Sequence, residues 1–325
     1  LRVRASKRRF ALSSHTSHGM TNDNDRYLPV DKATFLYMAA LSLLILVFHA
    51  NLPNWAVYLG FNLCICLAVV LIAHTLNSRA GGFAFFFRHW YPLLFFTLLY
   101  EETRYLIHLI FPHPFDPLIN QLELAVFGVY PTVWAQKLIY PGLNEFMMFS
   151  YSSYYFLLAA LGLGLFLRRK FREFDGLFFT SAVAYYVSYL GFILFPVEGP
   201  RFALLSQHQI ELNGGFFTSL AQGLIHMAGI QGAAMPSSHV AVAFVLLVYA
   251  RRHHRTFYWV LLPLVISLTV STIYGRFHYV SDVMAGMLVA AFSILLCDRV
   301  IKREDNFSKQ DIPQKEFSLD LARSD

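Results

Sequence analysis

Long apolar runs broken by short polar or basic stretches occupy most of the chain. A helix needs about 20 mostly apolar residues to cross the hydrocarbon core of a bilayer. Runs that reach or approach this length lie at roughly 33–49, 55–75, 91–111, 143–167, 176–196, 236–250, 257–274 and 279–297. They predict an all-α, polytopic transmembrane helix bundle with both tails on one side. The run at 236–250 is short for a full crossing. Its first turn is expected to line a cavity, where polar backbone is tolerated inside a membrane. A basic stretch at 1–32 lacks the apolar core of a cleavable signal, so the first run is expected to serve as the insertion signal. The polar stretch at 301–325 is expected to be disordered. The expected organisation is a cytoplasmic tail (1–32), a transmembrane hairpin (33–89), a membrane domain (90–300) and a second cytoplasmic tail (301–325).

Two further segments have helical patterns without the length to span. In 115–128, Asp116 is placed to cap, Pro117 suits the first turn and Gly128 a terminus, with Leu118, Leu122 and Ala125 as a modest stripe. This reads as a helix lying in the outer interface. A second candidate, around 216–230, follows Gly214-Gly215 and is either a plain interfacial helix or a lid.

Composition agrees with a membrane setting: 56% of the 325 residues are hydrophobic and 14% are charged, against roughly 25% charged in soluble domains. The formal charge of +6 does not point to nucleic acid, because the cations are divided between tails and short loops. Arg79, Arg88, Arg168, Arg169, Lys170, Arg172, Arg251, Arg252 and Arg255 fall on one side with both tails. The other side holds Lys137, Arg201 and Arg276. The positive-inside rule makes the crowded side cytoplasmic, at the plasma (inner) membrane or an endomembrane. Cys64, Cys66 and Cys297 sit in apolar runs without zinc-type spacing and read as packing thiols. No cofactor is expected.

The run at 91–111 carries Glu101, Glu102, Arg104 and His108. Each mid-membrane charge costs about 2.5–3.5 kcal/mol, and each Leu, Ile or Phe returns only about 0.3–0.6. This helix should therefore face the bundle interior. Glu101, Arg104 and His108 fall on one stripe. An internal ion pair that fixes packing and recognition of a polar lipid head group by Glu101, Glu102 and Arg104 both account for it.

Two histidine motifs carry the chemistry. Pro236-Ser237-Ser238-His239 opens an apolar run with helix-start residues, and a helix N-terminus is a ready anion site. His239 there could donate a proton to an oxygen leaving phosphorus. In Ser271-Thr272-Ile273-Tyr274-Gly275-Arg276-Phe277-His278-Tyr279-Val280-Ser281-Asp282, His278 and Asp282 are spaced i, i+4 and can touch. A carboxylate there would fix the imidazole tautomer and leave the other nitrogen free to attack phosphorus. Arg276 offers a bidentate fork to phosphate. So does Arg201, held by a Gly-Pro turn, although it could equally snorkel to lipid head groups. Two runs separate the histidines, so both fall on the extracytoplasmic side. Carboxylates are too few for magnesium, and no third histidine has a zinc-like spacing; no metal is expected.

At these residues the chain resembles the type-2 phosphatidic acid phosphatase superfamily. Its signature reads Lys-x6-Arg-Pro, Pro-Ser-Gly-His and Ser-Arg-x5-His-x3-Asp. The second part appears as Pro236-Ser237-Ser238-His239. The third keeps its spacing from Ser271 through His278 to Asp282, with Thr272 for arginine. The first is degenerate, with Leu194 seven positions before Arg201 and a proline before that arginine. The resemblance implies about six core helices plus extra N-terminal spans. It makes His278 the nucleophile that forms a phosphohistidine, Asp282 its orienting partner and His239 the general acid. The backbone around Ser237 and Ser238 would hold phosphate, with Arg276 standing in for the absent arginine. Gly199-Pro200-Arg201, Pro236-Ser237-Ser238-His239, Tyr274 to Tyr279, and Tyr100-Glu101-Glu102 with Phe115-Asp116 look closest to the inositol phosphorylceramide synthase branch. The resemblance spans roughly residues 90–297.

The expected function is a lipid phosphate phosphatase or phosphotransferase without a metal. Its partners are membrane lipids, as substrate and as acceptor. A lipid-binding or lipid-translocating protein with a relict pocket is the alternative.

Overall fold

The computed structural model describes residues 26–76 and 82–321, from 304 onward by backbone only. Most of the basic N-terminal tail, together with Arg79, lies outside the described residues. Helices α1 (Pro29–Val47) and α2 (Trp55–Thr75) form the expected N-terminal hairpin. A short helix α3 (Gly82–Trp90) leads into α4 (Pro92–Leu106), and α5 (Asp116–Phe127) and α6 (Pro131–Ala135) follow. Then come α7 (Pro141–Leu167), α8 (Phe171–Leu194), a single turn α9 (Pro200–Ala203), α10 (Phe216–Ala228), α11 (Ser238–His253), α12 (Arg255–Tyr274) and α13 (Val280–Leu321). Among the described residues there is no strand, only an isolated parallel bridge between Val197 and Ala233.

Among the described residues, six helices are long and apolar enough to cross a membrane: α1, α2, α7, α8, α12 and the Val280–Arg303 part of α13. They turn large apolar side chains outward, among them Leu36, Leu63, Leu71, Ile266 and Leu288. Water would penalise so much exposed apolar surface, and lipid does not. The protein is a multi-pass membrane protein built as an all-α bundle.

Of the two remaining predicted crossings, α11 is as short as its run predicts and α4 ends early. Helix α11 has 16 residues, about 24 Å at 1.5 Å per residue. It packs against α7, α8, α12 and α13 at once, with Val242, Val245 and Leu246 fully buried. Ala241, Ala243 and Ala250 on it are also fully buried, and small residues let helices approach closely in a membrane. A helix wrapped by four others need not match the lipid thickness. The expected run at 91–111 ends as helix at Leu106, followed by turns and irregular backbone up to α5.

Contacts fix which helix ends lie together. At one end His89 Nδ1 lies 2.6 Å from Asp175, Lys170 donates to the His253 carbonyl at 3.0 Å, and Arg252 pairs with Asp298 at 2.8 Å. At the other end Asn51 donates to the Leu109 carbonyl at 3.0 Å, and Phe115 N–H to the Pro196 carbonyl at 2.8 Å. The starts of α7, α11 and α13 therefore meet the ends of α4, α8 and α12.

Two sequence expectations change here. Arg88, counted among the loop cations, is 1% exposed and is paired with the buried carboxylate of Asp31, which Tyr91 also bonds. Burial is tolerated because the charge is matched and hydrogen-bonded. The C-terminal stretch continues α13 as helix to Leu321 instead of being disordered. Its Lys, Arg, Glu and Gln are good helix formers even without apolar surface to bury. On α5, the Leu118 and Leu122 stripe faces outward, as an interfacial helix requires, while Asp116, Ile119 and Glu123 face inward.

Arg88→Met leaves the Asp31 carboxylate buried without its cation. Breaking such a pair costs about 3–5 kcal/mol. Thermal unfolding in detergent should show a lowered midpoint, and adding Asp31→Asn should recover part of it.

Candidate active site

Ser237 is the N-cap of α11, its Oγ accepting from Val240 N–H at 3.4 Å, as the helix-start reading predicts. His239 therefore sits in the first turn. His278 sits just before α13, in a tight loop closed by two bonds. The Thr272 carbonyl accepts from Phe277 N–H (2.9 Å) and His278 N–H (3.0 Å), and Arg276 takes a positive φ of 65°. Asp282 Oδ2 accepts from Tyr279 N–H at 2.9 Å, which caps the start of α13.

The two helix starts are tied directly. Ser237 N–H donates to the Asp282 carbonyl at 3.0 Å. Gly286, one turn further along α13, lets the helices meet. A Cβ there would stand 2.5 Å from the Ser237 carbonyl oxygen and 3.3 Å from Val240 Cβ. The result places the His239 and His278 rings 5.6 Å apart between centroids. Asp282 Oδ2 lies 3.4 Å from His278 Nδ1, with both side chains nearly or fully buried. That separation is longer than a formed hydrogen bond. Before substrate binds, catalytic contacts of this kind are often loose. Burial pushes the His278 imidazole down to about 4, the nearby Ala234 carbonyl opposing it. The ring is thus neutral near pH 7.

Arg201 reaches the same place from α9. Its turn is held on three sides. Val197 N–H donates to Gly232 O (3.1 Å) and Ala234 N–H to Val197 O (2.9 Å). Asp116 accepts from Glu198 N–H (2.7 Å) and Gly199 N–H (2.9 Å). Gly199 has φ of 96°, and a Cβ on it would stand 3.0 Å from the Phe277 carbonyl oxygen. Asp116 also accepts from Tyr279 O–H at 3.0 Å, so one buried carboxylate joins the arginine turn to the residue after His278. Seven residues on, Glu123 accepts from both Ser281 N–H and Ser281 O–H at 3.0 Å. The sequence marked Asp116 as a helix cap and, with Phe115, as part of the family resemblance, but not as a brace for the arginine turn. The acid-x6-acid spacing, two turns apart on an otherwise apolar helix, was the available signal.

His239, His278, Ser238 and Arg201 line a cavity of about 650 Å³. Glu101 and Arg104 line it too, paired at 3.0 Å, with Arg104 donating to the Gly229 carbonyl at 3.1 Å. From the histidines the cavity continues along α4 and α7 to Leu93 and Ala159. Leu93 and Arg104 are eleven residues apart on one helix, about 16 Å at 1.5 Å per residue. One end of the cavity is thus cationic and polar, the other apolar. Its middle wall is tyrosine: Tyr154 donates to Tyr185 at 2.9 Å, and the Tyr151 hydroxyl lies 3.4 Å from His239 Nε2. Tyrosines well inside apolar runs were the signal for this wall, since tyrosine in membrane helices otherwise gathers at their ends.

Several predicted residues go elsewhere. Ser237 is fully buried and spends its hydroxyl on the cap. Glu102 faces α2. With its amide oriented to satisfy both neighbours, Asn62 donates to the two Glu102 oxygens (2.9 and 3.3 Å). His108 lies beyond the end of α4, exposed, beside the Phe111 carbonyl at 3.2 Å. Thr272 is fully buried in the last turn of α12, and Arg276 is absent from the lining of the histidine cavity. Its left-handed backbone sends the guanidinium to the Ile210 carbonyl, into a neighbouring chamber. Among the described residues, no three His, Cys, Asp or Glu side chains come together to hold a metal ion.

Gly286→Ala pushes a methyl into the Ser237 carbonyl. Overpacking costs about 1–3 kcal/mol, and the unfolding midpoint should fall accordingly. An unchanged midpoint would show that α11 and α13 have room to spare.

Comparison with known proteins finds no match among curated proteins and none among solved structures. Residues 122–296 do match the PAP2 superfamily. The matched stretch holds both histidine motifs and Arg201, and leaves α1 to α4 outside it. It covers more than half of the chain, so the protein belongs to the PAP2 superfamily, the phosphatase and phosphotransferase family its motifs resemble.

Proposed function

We propose that the protein is a lipid phosphate phosphatase or phosphotransferase working through a phosphohistidine. The observation that carries this reading is the pair of imidazoles, 5.6 Å apart between centroids, at the cationic end of a cavity whose other end is apolar. Such a cavity fits an amphiphile, with the phosphate at Arg201 and an acyl chain running toward Leu93.

In the first half-reaction the neutral His278 Nε2 attacks phosphorus. The bond from phosphorus to the leaving oxygen breaks, and His239, which must take up a proton for this step because burial and the neighbouring His278 disfavour its charged form, gives that oxygen the proton. Asp282 accepts from Nδ1–H and stabilises the cation that forms on His278. In the second half-reaction water or an alcohol gives its proton to His239 and attacks phosphorus. The phosphorus–nitrogen bond breaks and both histidines return to their starting states. Water makes the enzyme a phosphatase; a lipid alcohol makes it a transferase. The Gly199-Pro200-Arg201 and Tyr274-to-Tyr279 patterns favour the inositol phosphorylceramide synthase branch, a transferase. Arg201, unpaired among the described residues, is the phosphate ligand, and Ser238 borders the same space. Arg104 and Glu101 are placed for head-group contacts. Arg168, Arg169, Lys170, Arg172, Arg251, Arg252 and Arg255 sit at the opposite helix ends, which supports an extracytoplasmic site and cytoplasmic tails.

Purified protein in detergent is assayed with radiolabelled phospholipids, supplying water, diacylglycerol or ceramide as acceptor. His278→Ala should abolish label release and transfer, and His239→Ala should slow them roughly 10²–10⁴-fold. Full activity in His278→Ala sinks the reading. Because attack needs the neutral imidazole and burial holds His278 down to about 4, its protonation should cut kcat/KM only as pH falls toward about 4. A limb near the ordinary histidine value of about 6.5 would assign that limb to another group.

A further inference from the structure

Three tyrosines on one face of α7 surround His239. Tyr151, Tyr154 and Tyr155 are spaced i, i+3 and i+4. Their ring centroids lie 5.2, 4.3 and 6.4 Å from that of the imidazole. Two of them are held in place. Tyr154 spends its O–H on the Tyr185 hydroxyl at 2.9 Å, so what it turns to His239 is its ring. Tyr151 is buried and packs on Phe277, the residue before His278, at 4.3 Å between centroids. Its hydroxyl lies 3.4 Å from His239 Nε2. Nδ1 of the same imidazole is shut away from solvent and has no partner among the described residues. Nε2 is therefore the nitrogen that meets the cavity, and the Tyr151 hydroxyl stands beside it. His278 has a carboxylate neighbour in Asp282; among the described residues His239 has none. A buried imidazole without an anion holds a proton poorly, and His278 works against it too. Yet the proposed general acid must be charged to act.

We infer that Tyr151 and Tyr154 are the positioning residues that let His239 carry its proton, in place of a carboxylate. A tyrosine hydroxyl can both donate and accept. When the imidazole is charged, the Tyr151 oxygen accepts from Nε2–H. As that proton passes to the leaving oxygen, the Nε2–H bond breaks and the new O–H bond forms. Tyr151 then turns its own O–H to the emptied Nε2, and it keeps that proton throughout. The Tyr154 ring, within about 6 Å, attracts the imidazolium to the negative face of its π system. Both partners are neutral, so they stabilise the cation without setting a negative charge against the phosphate at Arg201. The role rests on the proposed reaction, and the contact rests on the tyrosine geometry alone.

Tyr151→Phe keeps the ring and removes the hydroxyl; Tyr154→Leu removes the ring. Both are assayed as the full chain in detergent on two substrates. One is the phospholipid that wild type turns over fastest, whose leaving oxygen is an alcohol and needs a proton. The other is an alkyl-substituted nitrophenyl phosphate, whose phenolate leaves without one. The inference expects kcat/KM on the phospholipid to fall about tenfold in each variant, and on the nitrophenyl ester by less than about twofold. Retained nitrophenyl turnover shows at the same time that the variants fold. In a His239→Ala background, Tyr151→Phe should cost nothing further, because the two act as one unit. Equal losses on both substrates, no loss on either, or a further loss without His239 overturn the inference. The contact is also read without turnover, by nitrogen-15 NMR of histidine-labelled protein, with the His239 signals identified by their loss in His239→Ala. Tyr151→Phe should move the Nε2 signal, and an unmoved signal overturns the inference. If wild type turns over neither substrate and the signal moves, the proposed reaction fails and the contact stands.

Discussion

The bond from Ser237 N–H to the Asp282 carbonyl, 3.0 Å long, and the bare backbone of Gly286 beside it decide the geometry of everything else. They join the first turns of α11 and α13, two helices that are separated in sequence by α12. One helix start carries His239, the other His278 and Asp282. A side chain at position 286 would hold the helices apart, and reactivity between groups placed 1 Å wrong falls steeply. The same carboxylate residue serves the junction twice. Its carbonyl accepts from α11, and its side chain caps α13 beside His278.

Around this junction the protein buries acids and uses each to hold a backbone turn. Asp116 gathers Glu198, Gly199 and Tyr279, and Glu123 gathers Ser281. Burying a carboxylate is costly unless its oxygens are engaged; Asp116 engages both of its oxygens and Glu123 one, so these residues function as joints with little freedom to move. They make the interfacial helix α5 a brace for the arginine turn and for the start of α13. Its outer face, with Leu118 and Leu122 exposed, remains free to rest in lipid.

The cavity separates two kinds of solvation along one substrate path. Arg201, Arg104 and the imidazoles occupy the end where α4, α8 and α12 finish; Leu93 and Ala159 occupy the deeper end. Tyrosine rings between them present an apolar face and a polar edge at once, a suitable lining for the junction of a phosphate with an acyl chain. The family's second arginine position is Thr272, which is buried in the last turn of α12. Arg201 and the start of α11 border the histidine end of the cavity without it.

The sequence by itself determined the helical class, most of the crossings, and the two histidine motifs at one side of the bundle. Those features are local. Apolar length, helix-start residues and i, i+4 spacing need no knowledge of neighbours. It also pointed to the helix α5 and to Glu101 and Arg104 facing the bundle's cavity, because an isolated mid-membrane charge must find the bundle interior. Only the tertiary structure decided which way each polar side chain faced. Glu102 turned to Asn62, and Arg88 was buried against Asp31. Arg276, two residues from His278, was carried by its positive φ to the other side of Phe277. The physical reason is that one residue of helix or loop rotates a side chain through a large angle. Its partner then depends on what distant segment packs there, and spacing along the chain does not contain that information.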